Sequence, residues 1–180
     1  MNNKEVEFKF LINKEIKEKI LSFLKLNAKK IGESNLIDTY YIPNFKEFEI
    51  DGQTMECLRI REQNNISTVG YKKIHRDCTP VYCDEYETII ANKVEFEKIL
   101  FSLGFTVQMV IDKKRESFLF KNFQFDFDSV KNLGEIMEVE LKNEGDIDEI
   151  FKFLAQYNLT KNDVTYEGIQ VLMKKAINKK

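Results

Sequence analysis

The chain has no tryptophan and a single histidine, His75, among its 180 residues. One histidine excludes a multi-histidine metal site and disfavours a Ser-His-Asp or Cys-His triad. Cys57, Cys78 and Cys83 are odd in number and show no CxxC spacing. That argues against a zinc site or a disulfide framework, and for reduced thiols in a cytoplasmic protein. An excess of one charge is also missing: 30 acids against 28 bases leave a net charge of -2, so no global field recruits nucleic acid or a membrane surface. No apolar run approaches the ~18 residues of a membrane span. The N-terminus lacks an apolar signal region, so secretion is not expected. A polyanion would have to be bound by a local cluster of bases. A metal would have to be held by carboxylates, whose hard oxygens suit Mg²⁺ or Mn²⁺.

What is present describes an ordinary globular protein, 43% hydrophobic and 32% charged, with a length that suits one domain over residues 1–180. Fifteen Phe and seven Tyr, with only two prolines, favour a strand-rich fold. Asn13 is placed to cap a helix running to about residue 30, and further helices are expected over 93–103, 147–157 and 166–177. Strands are expected at the N-terminus and over 37–41, 55–62, 67–74, 82–90, 106–111, 116–120, 123–128 and 135–141, with a hairpin at Asp51-Gly52. The fold class is therefore α+β around a large antiparallel sheet, which could close into a barrel of about eight strands flanked by helices.

Several strands carry charge on alternate residues, and alternate residues of a strand share a face. Glu5, Glu7 and Lys9 open the chain in this way, and Arg59 with Arg61, Glu85 with Glu87, Lys113 with Arg115, Asp126 with Asp128 and Glu138 with Glu140 repeat it. A solvated sheet face explains any one of these strands. It explains less well why like charges sit two apart, where they repel unless a ligand of opposite charge lies between them. Acids holding a divalent metal and bases holding phosphate would satisfy both sets.

The same residues resemble the CYTH superfamily, the triphosphate tunnel metalloenzymes, which includes class IV adenylate cyclases, thiamine triphosphatases and inorganic triphosphatases. Its ExExK signature stands as Glu5-Val6-Glu7-Phe8-Lys9. Its other segments appear in order as Asp38-Thr39-Tyr40-Tyr41, Leu58-Arg59-Ile60-Arg61, Tyr71-Lys72, Glu85-Tyr86-Glu87, Lys113-Lys114-Arg115, Asp128 to Gly134, Glu138-Val139-Glu140 and Thr165-Tyr166. The match departs from the family pattern at Gly70, where a threonine is common, and at Thr165, where serine is usual. The doublets Lys72-Lys73 and Lys113-Lys114 leave open which lysine faces inward, and the motif alignment favours Lys72 and Lys113.

The resemblance implies a closed antiparallel barrel with a charged tunnel and a divalent-metal-dependent reaction on a triphosphate. It implies Glu5, Glu7, Glu138 and Glu140 as Mg²⁺ or Mn²⁺ ligands and catalytic residues together with Lys9. Asp128 would join the metal set, and Glu87 and Tyr166 would assist. Lys9, Arg59, Arg61, Lys72, Lys113 and Arg115 would hold the phosphates. The substrate would be ATP, tripolyphosphate or thiamine triphosphate, with a homodimer as a further expectation.

The motifs fit a cyclase and a triphosphatase equally. The chain's size and its DTYY segment lean toward the class IV cyclase, and a non-catalytic polyphosphate-binding module is a third reading. Outside this set, His75 reads as a solvated loop residue and the cysteines as packing residues. Lys174-Lys175 and Lys179-Lys180 read as a solvated helix end.

Overall fold

The computed structural model describes residues 4–142 and 146–177; Lys179-Lys180 lies outside them. In chain order the elements are β1 (Lys4–Glu5), β2 (Glu7–Ile12), α1 (Lys14–Asn27), β3 (Lys29–Pro43), β4 (Glu49–Ile50), β5 (Gln53–Thr54), β6 (Glu56–Gln63), β7 (Ile66–His75), β8 (Tyr82–Ile90), α2 (Lys93–Ser102), β9 (Phe105–Phe120), β10 (Phe123–Val130), β11 (Gly134–Leu141), α3 (Ile147–Leu154), β12 (Val164–Thr165) and α4 (Ile169–Ile177). Ten strands form mostly antiparallel sheet, and β4 with β5 makes a separate hairpin. Eight of the ten are long. The other two, β1 and β12, have two residues each, too few to show a period. Among the described residues no helix is long and apolar enough to cross a membrane.

The chain divides into two compact units: one of Asn35–Asp112 with residues 167–177, the other of Glu5–Ser34 with Lys113–Tyr166. In the first, the strand order is β8-β7-β6-β3. Its hairpin turns follow residue chemistry. Asp51-Gly52 and Asn64-Asn65 both have two consecutive positive φ angles, which is what a tight two-residue turn between twisted strands requires. Tyr41, Phe48, Leu58, Ile60 and Leu100 form this unit's core, with Val69, Tyr71, Phe96 and Phe105 packed on it. Asn92 caps α2 through Glu95 N at 3.1 Å, and Gly104 ends it at φ +85°.

A Cβ at Gly104 would come within 2.6 Å of Asn44 Oδ1. Asn44 N also donates to Gly104 O at 2.9 Å, so the backbones stay together, the Asn44 side chain must turn away, and the strain of a side chain at φ +85° remains. Gly104→Ala is expected to cost more than about 1 kcal/mol, lowering the melting midpoint by roughly 2–4 °C per kcal/mol in a chain of this size. An unchanged midpoint in a thermal melt would contradict this.

In the second unit the order is β9-β10-β11-β2-β12. Phe8, Phe10, Phe118, Phe125, Phe127, Met137 and Val139 cover one sheet face, and Ile20, Leu21, Leu24, Ile150, Phe153 and Leu154 of α1 and α3 pack on it. Asn13 caps α1 by accepting the Ile16 amide at 2.8 Å, and Lys17 ties the helix to Glu135 at 2.6 Å. Because these aromatic residues alternate with charged ones, burying them under the helices sends Glu7, Lys9, Asp126, Asp128, Glu138 and Glu140 to the other face.

Four expectations shift. Helix α1 stops at Asn27 because Ala28 is extended and β3 begins at Lys29. Strand β9 is continuous through Asp112 to Arg115, where two strands are expected. Helix α4 starts three residues after Tyr166, because the residues before it bond to β5 instead of helically. Glu167 Oε2 accepts Thr54 N at 3.0 Å, and Gly168 N donates to Thr54 Oγ1 at 2.9 Å. Lys174 is not merely solvated, since it pairs with Glu49 at 2.8 Å.

Candidate functional site

The first unit carries a face that bears both bases and acids. In register, Arg61 opposes Asp38 and Arg59 opposes Tyr40 between β6 and β3. Cys57 opposes Lys72 and Arg59 opposes Gly70 between β6 and β7. Lys72 opposes Glu85 and Gly70 opposes Glu87 between β7 and β8. Directly opposed residues share a face, so Asp38, Arg59, Arg61, Lys72, Glu85 and Glu87 lie together, opposite the Leu58-Ile60 core side.

Arg61 grips Asp38 with a fork, Nε to Oδ1 at 2.7 Å and Nη2 to Oδ2 at 2.8 Å. Arg59 is held more loosely. Its contacts to Asp38, Glu85 and Glu87 are 3.9, 3.9 and 3.7 Å, all beyond hydrogen-bond length. Burial works against its charge, but Asp38 leads the neighbours that outweigh burial and hold the guanidinium firmly protonated. Gly70 leaves room between Arg59 and Glu87, where a Cβ would make ordinary contacts at 3.8 and 3.4 Å. Lys72 pairs with Glu85 at 3.5 Å.

The second unit carries a face richer in carboxylates. Glu138 opposes Lys9 and Glu140 opposes Glu7. Asp126 opposes Glu138, and Asp128 opposes Arg115. Lys9 bridges Glu7 at 3.0 Å and Glu138 at 3.2 Å. Arg115 then links Glu138 at 2.5 Å and Asp126 at 2.8 Å. It also forks onto Asp128, with Nε to Oδ1 and Nη2 to Oδ2 both at 2.6 Å. Lys113 completes the row, reaching Asp128 Oδ2 at 2.7 Å with side-chain exposures of 1% and 0%. Burial raises the Asp128 carboxyl pKa, but Arg115 and then Lys113 outweigh it and hold the group below the usual carboxylate range. Glu140 pairs with Lys142 at 2.6 Å.

Register separates the two lysines of each doublet by sheet face. Lys72 shares the face of Arg59 and Arg61. Lys113 is buried on Asp128, whereas Lys114 is exposed and pairs with Glu33 at 2.8 Å.

Glu5 is less simply placed. It falls on β1, and the β2–β11 ladder stops at the Glu7–Glu140 pair, so Glu5 lies beyond the register shared by Glu7 and Lys9. Val6 O accepts Leu141 N at 3.0 Å at the break. Tyr166 sits half-buried between β12 and α4. His75 is not a loop residue: it ends β7, bonds Asp84 Oδ2 at 2.8 Å and stacks on Tyr82 at 4.5 Å. The functional reading of the sequence overlooked Asp38. Its fork onto Arg61 spans 23 residues of chain, and only strand register brings the two together.

By donor chemistry the second face fits a hard divalent ion. Glu7, Asp126, Asp128 and Glu138 outnumber Lys9, Lys113 and Arg115 along it, and all donors are oxygens. Among the described residues no three carboxylate, histidine or cysteine side chains already converge as a metal cage. Binding would therefore draw Glu7, Glu138 and Glu140 away from their lysine and arginine partners. Asp128 fits less well, because both its oxygens accept bonds from Arg115 or Lys113.

Several proteins are similar to this chain in sequence or in fold. A Methanocaldococcus jannaschii protein named "Putative adenylate cyclase MJ0240" is 30% identical over 167 residues, covering 89% of this chain and 93% of its own. The structure of the Pyrococcus horikoshii protein PH1012 has a TM-score of 0.74 at 27% identity, covering 94% of this chain and 99% of that one. The Hippeastrum protein HpAC1 matches in fold alone, with a TM-score of 0.65 at 9% identity over 96% of this chain and 95% of that one. Residues 3–166 match the family described as CYTH domain. The chain belongs to the CYTH domain family.

Proposed function

We propose that this chain is a cytoplasmic, divalent-metal-dependent enzyme acting on a triphosphate, with a class IV adenylate cyclase-like conversion of ATP to cyclic AMP and pyrophosphate. The observation that carries the reading is the pair of charged faces. One sets Arg59, Arg61 and Lys72 among an equal number of acids, with Arg59 only loosely held, and the other holds a surplus of carboxylate around Glu7 and Glu138. The closed eight-stranded barrel and its tunnel, as the family resemblance implies them, belong to this proposal. The name carried by the Methanocaldococcus jannaschii relative favours the cyclase.

In this reading the guanidinium of Arg59, with hydrogen-bond donors to spare, takes phosphate oxygens, and Arg61 and Lys72 flank it. Glu5, Glu7, Glu138 and Glu140 would hold Mg²⁺ or Mn²⁺, which when bound neutralises phosphate charge and eases deprotonation of the attacking hydroxyl. Lys9 bridges Glu7 and Glu138, offsets the repulsion between those carboxylates, and would also meet a phosphate oxygen. Lys113 and Arg115 act first as counter-charges fixing the carboxylate row, with Asp128 as their anchor. Glu87 and Tyr166 stay assisting residues. For the cyclase, the ribose 3′-oxygen bonds the α-phosphorus and the bond to the β-phosphate oxygen breaks. Pyrophosphate leaves with that electron pair, and the hydroxyl proton passes to solvent.

The second reading is a triphosphatase releasing orthophosphate from tripolyphosphate or thiamine triphosphate. HpAC1 is described as having a dominant triphosphatase activity despite a cyclase name, so this fold by itself does not select the attacked phosphorus. A non-catalytic polyphosphate binder is disfavoured, since surplus carboxylate weakens polyanion binding. Incubation with ATP and Mg²⁺ or Mn²⁺, followed by separation of nucleotides, decides the reaction. Cyclic AMP with stoichiometric pyrophosphate is expected, and orthophosphate without cyclic AMP would replace the cyclase reading by the second.

A further inference from the structure

The two units contain the same small arrangement. In each, an arginine forks through Nε and Nη2 onto the aspartate directly across an antiparallel pair: Arg61 onto Asp38, and Arg115 onto Asp128. In each, a second base stands two residues earlier on the arginine's strand, Arg59 or Lys113, and contacts the same aspartate at 3.9 or 2.7 Å. The copies differ in what the bases can still do. Lys113 is 1% exposed, and Arg115 is also bonded to Asp126 and Glu138. Arg59 and Arg61 are 15% and 13% exposed, and Arg59's contacts all exceed hydrogen-bond length.

We propose that Asp38 is a positioning residue, which fixes the plane of Arg61 and steadies Arg59 so that their remaining N–H groups meet phosphate oxygens in one orientation. The inference rests on the triphosphate reading above. Asp38 is fully buried and acts on substrate only through the arginines. A free arginine side chain loses rotamer entropy when it is ordered by a ligand, and a buried carboxylate that has already ordered it lowers that cost. This role makes a prediction opposite in sign to simple electrostatics. Removing a negative charge beside a polyanion site strengthens binding if attraction alone matters; it weakens binding if Asp38 positions the guanidinium.

The test is calorimetric binding of tripolyphosphate at fixed ionic strength without divalent metal, using the wild type, Asp38→Asn, Arg61→Lys and the double variant. Asp38→Asn is expected to bind about 10-fold or more weakly, the loss of a charge-assisted hydrogen bond. Arg61→Lys, which keeps the charge but loses the fork, should lose a similar factor, and the double variant little more than either alone. In turnover the same variants should raise KM more than they lower kcat. Equal or tighter binding by folded Asp38→Asn would overturn the inference. If that variant does not fold, unchanged affinity in Arg61→Lys would overturn it instead. A wild type that fails to bind tripolyphosphate would remove the triphosphate reading itself, an outcome separate from the comparison of variants.

Discussion

Glu138→Gln is expected to lower turnover of a triphosphate by about 100-fold or more, the loss typical of removing one preorganised charge at a reaction centre. Glu138 stands at the centre of the carboxylate row, between Lys9 at 3.2 Å and Arg115 at 2.5 Å. The amide keeps the shape of the side chain but removes the charge that would hold the metal. It should not unfold the protein, because Arg115 remains bonded to Asp126 and Asp128. Steady-state rates alongside a thermal melt check both halves. Glu5→Gln should act in the same direction. Wild-type rates in either folded variant would remove that residue from the site.

Asp128→Asn is expected to act on the fold first, costing about 3–5 kcal/mol out of a total stability on the order of 5–15 kcal/mol. Asp128 is fully buried and takes two bonds from Arg115 and one from Lys113. Without its charge, an ammonium at 1% exposure loses the carboxylate it contacts at 2.7 Å. Because the Asp128 carboxyl is held below its ordinary pKa of 3.8, its contribution is present above the unfolded value and is lost as pH falls through the folded one. Wild-type stability should therefore decline below about pH 4, and the variant should lack that part of the decline. Denaturant unfolding at neutral and acid pH measures both effects. A variant as stable as wild type at neutral pH would show that the cluster is not what holds these strands' charges in place.

The charged faces were legible because a strand's period is two and the aromatic residues between the charges had to be buried. Phe8 and Phe10, or Phe125 and Phe127, reveal by their own burial where Glu7, Lys9, Asp126 and Asp128 must point. The first part of β3 showed nothing comparable, since Lys29 to Glu33 is exposed throughout and carries no alternation. The interior of β9 was obscured because Asp112, Lys113 and Lys114 place charge on both parities. The motif alignment favours Lys113, and register with β10 puts it on the buried side with Arg115. Asp38 was visible as a motif residue, but its partner comes from another strand, and no local pattern joins them. The shift of α4 followed from side-chain bonds between Thr54, Glu167 and Gly168, which a helical period does not encode.

The most direct measurement is turnover of ATP and tripolyphosphate as Mg²⁺ or Mn²⁺ is withdrawn by a chelator and then restored. Pyrophosphate or orthophosphate should form with metal, fall to background on chelation and recover on addition. Turnover indifferent to the chelator, or tight binding with no turnover of either substrate under any metal, would contradict a metal-dependent triphosphate enzyme.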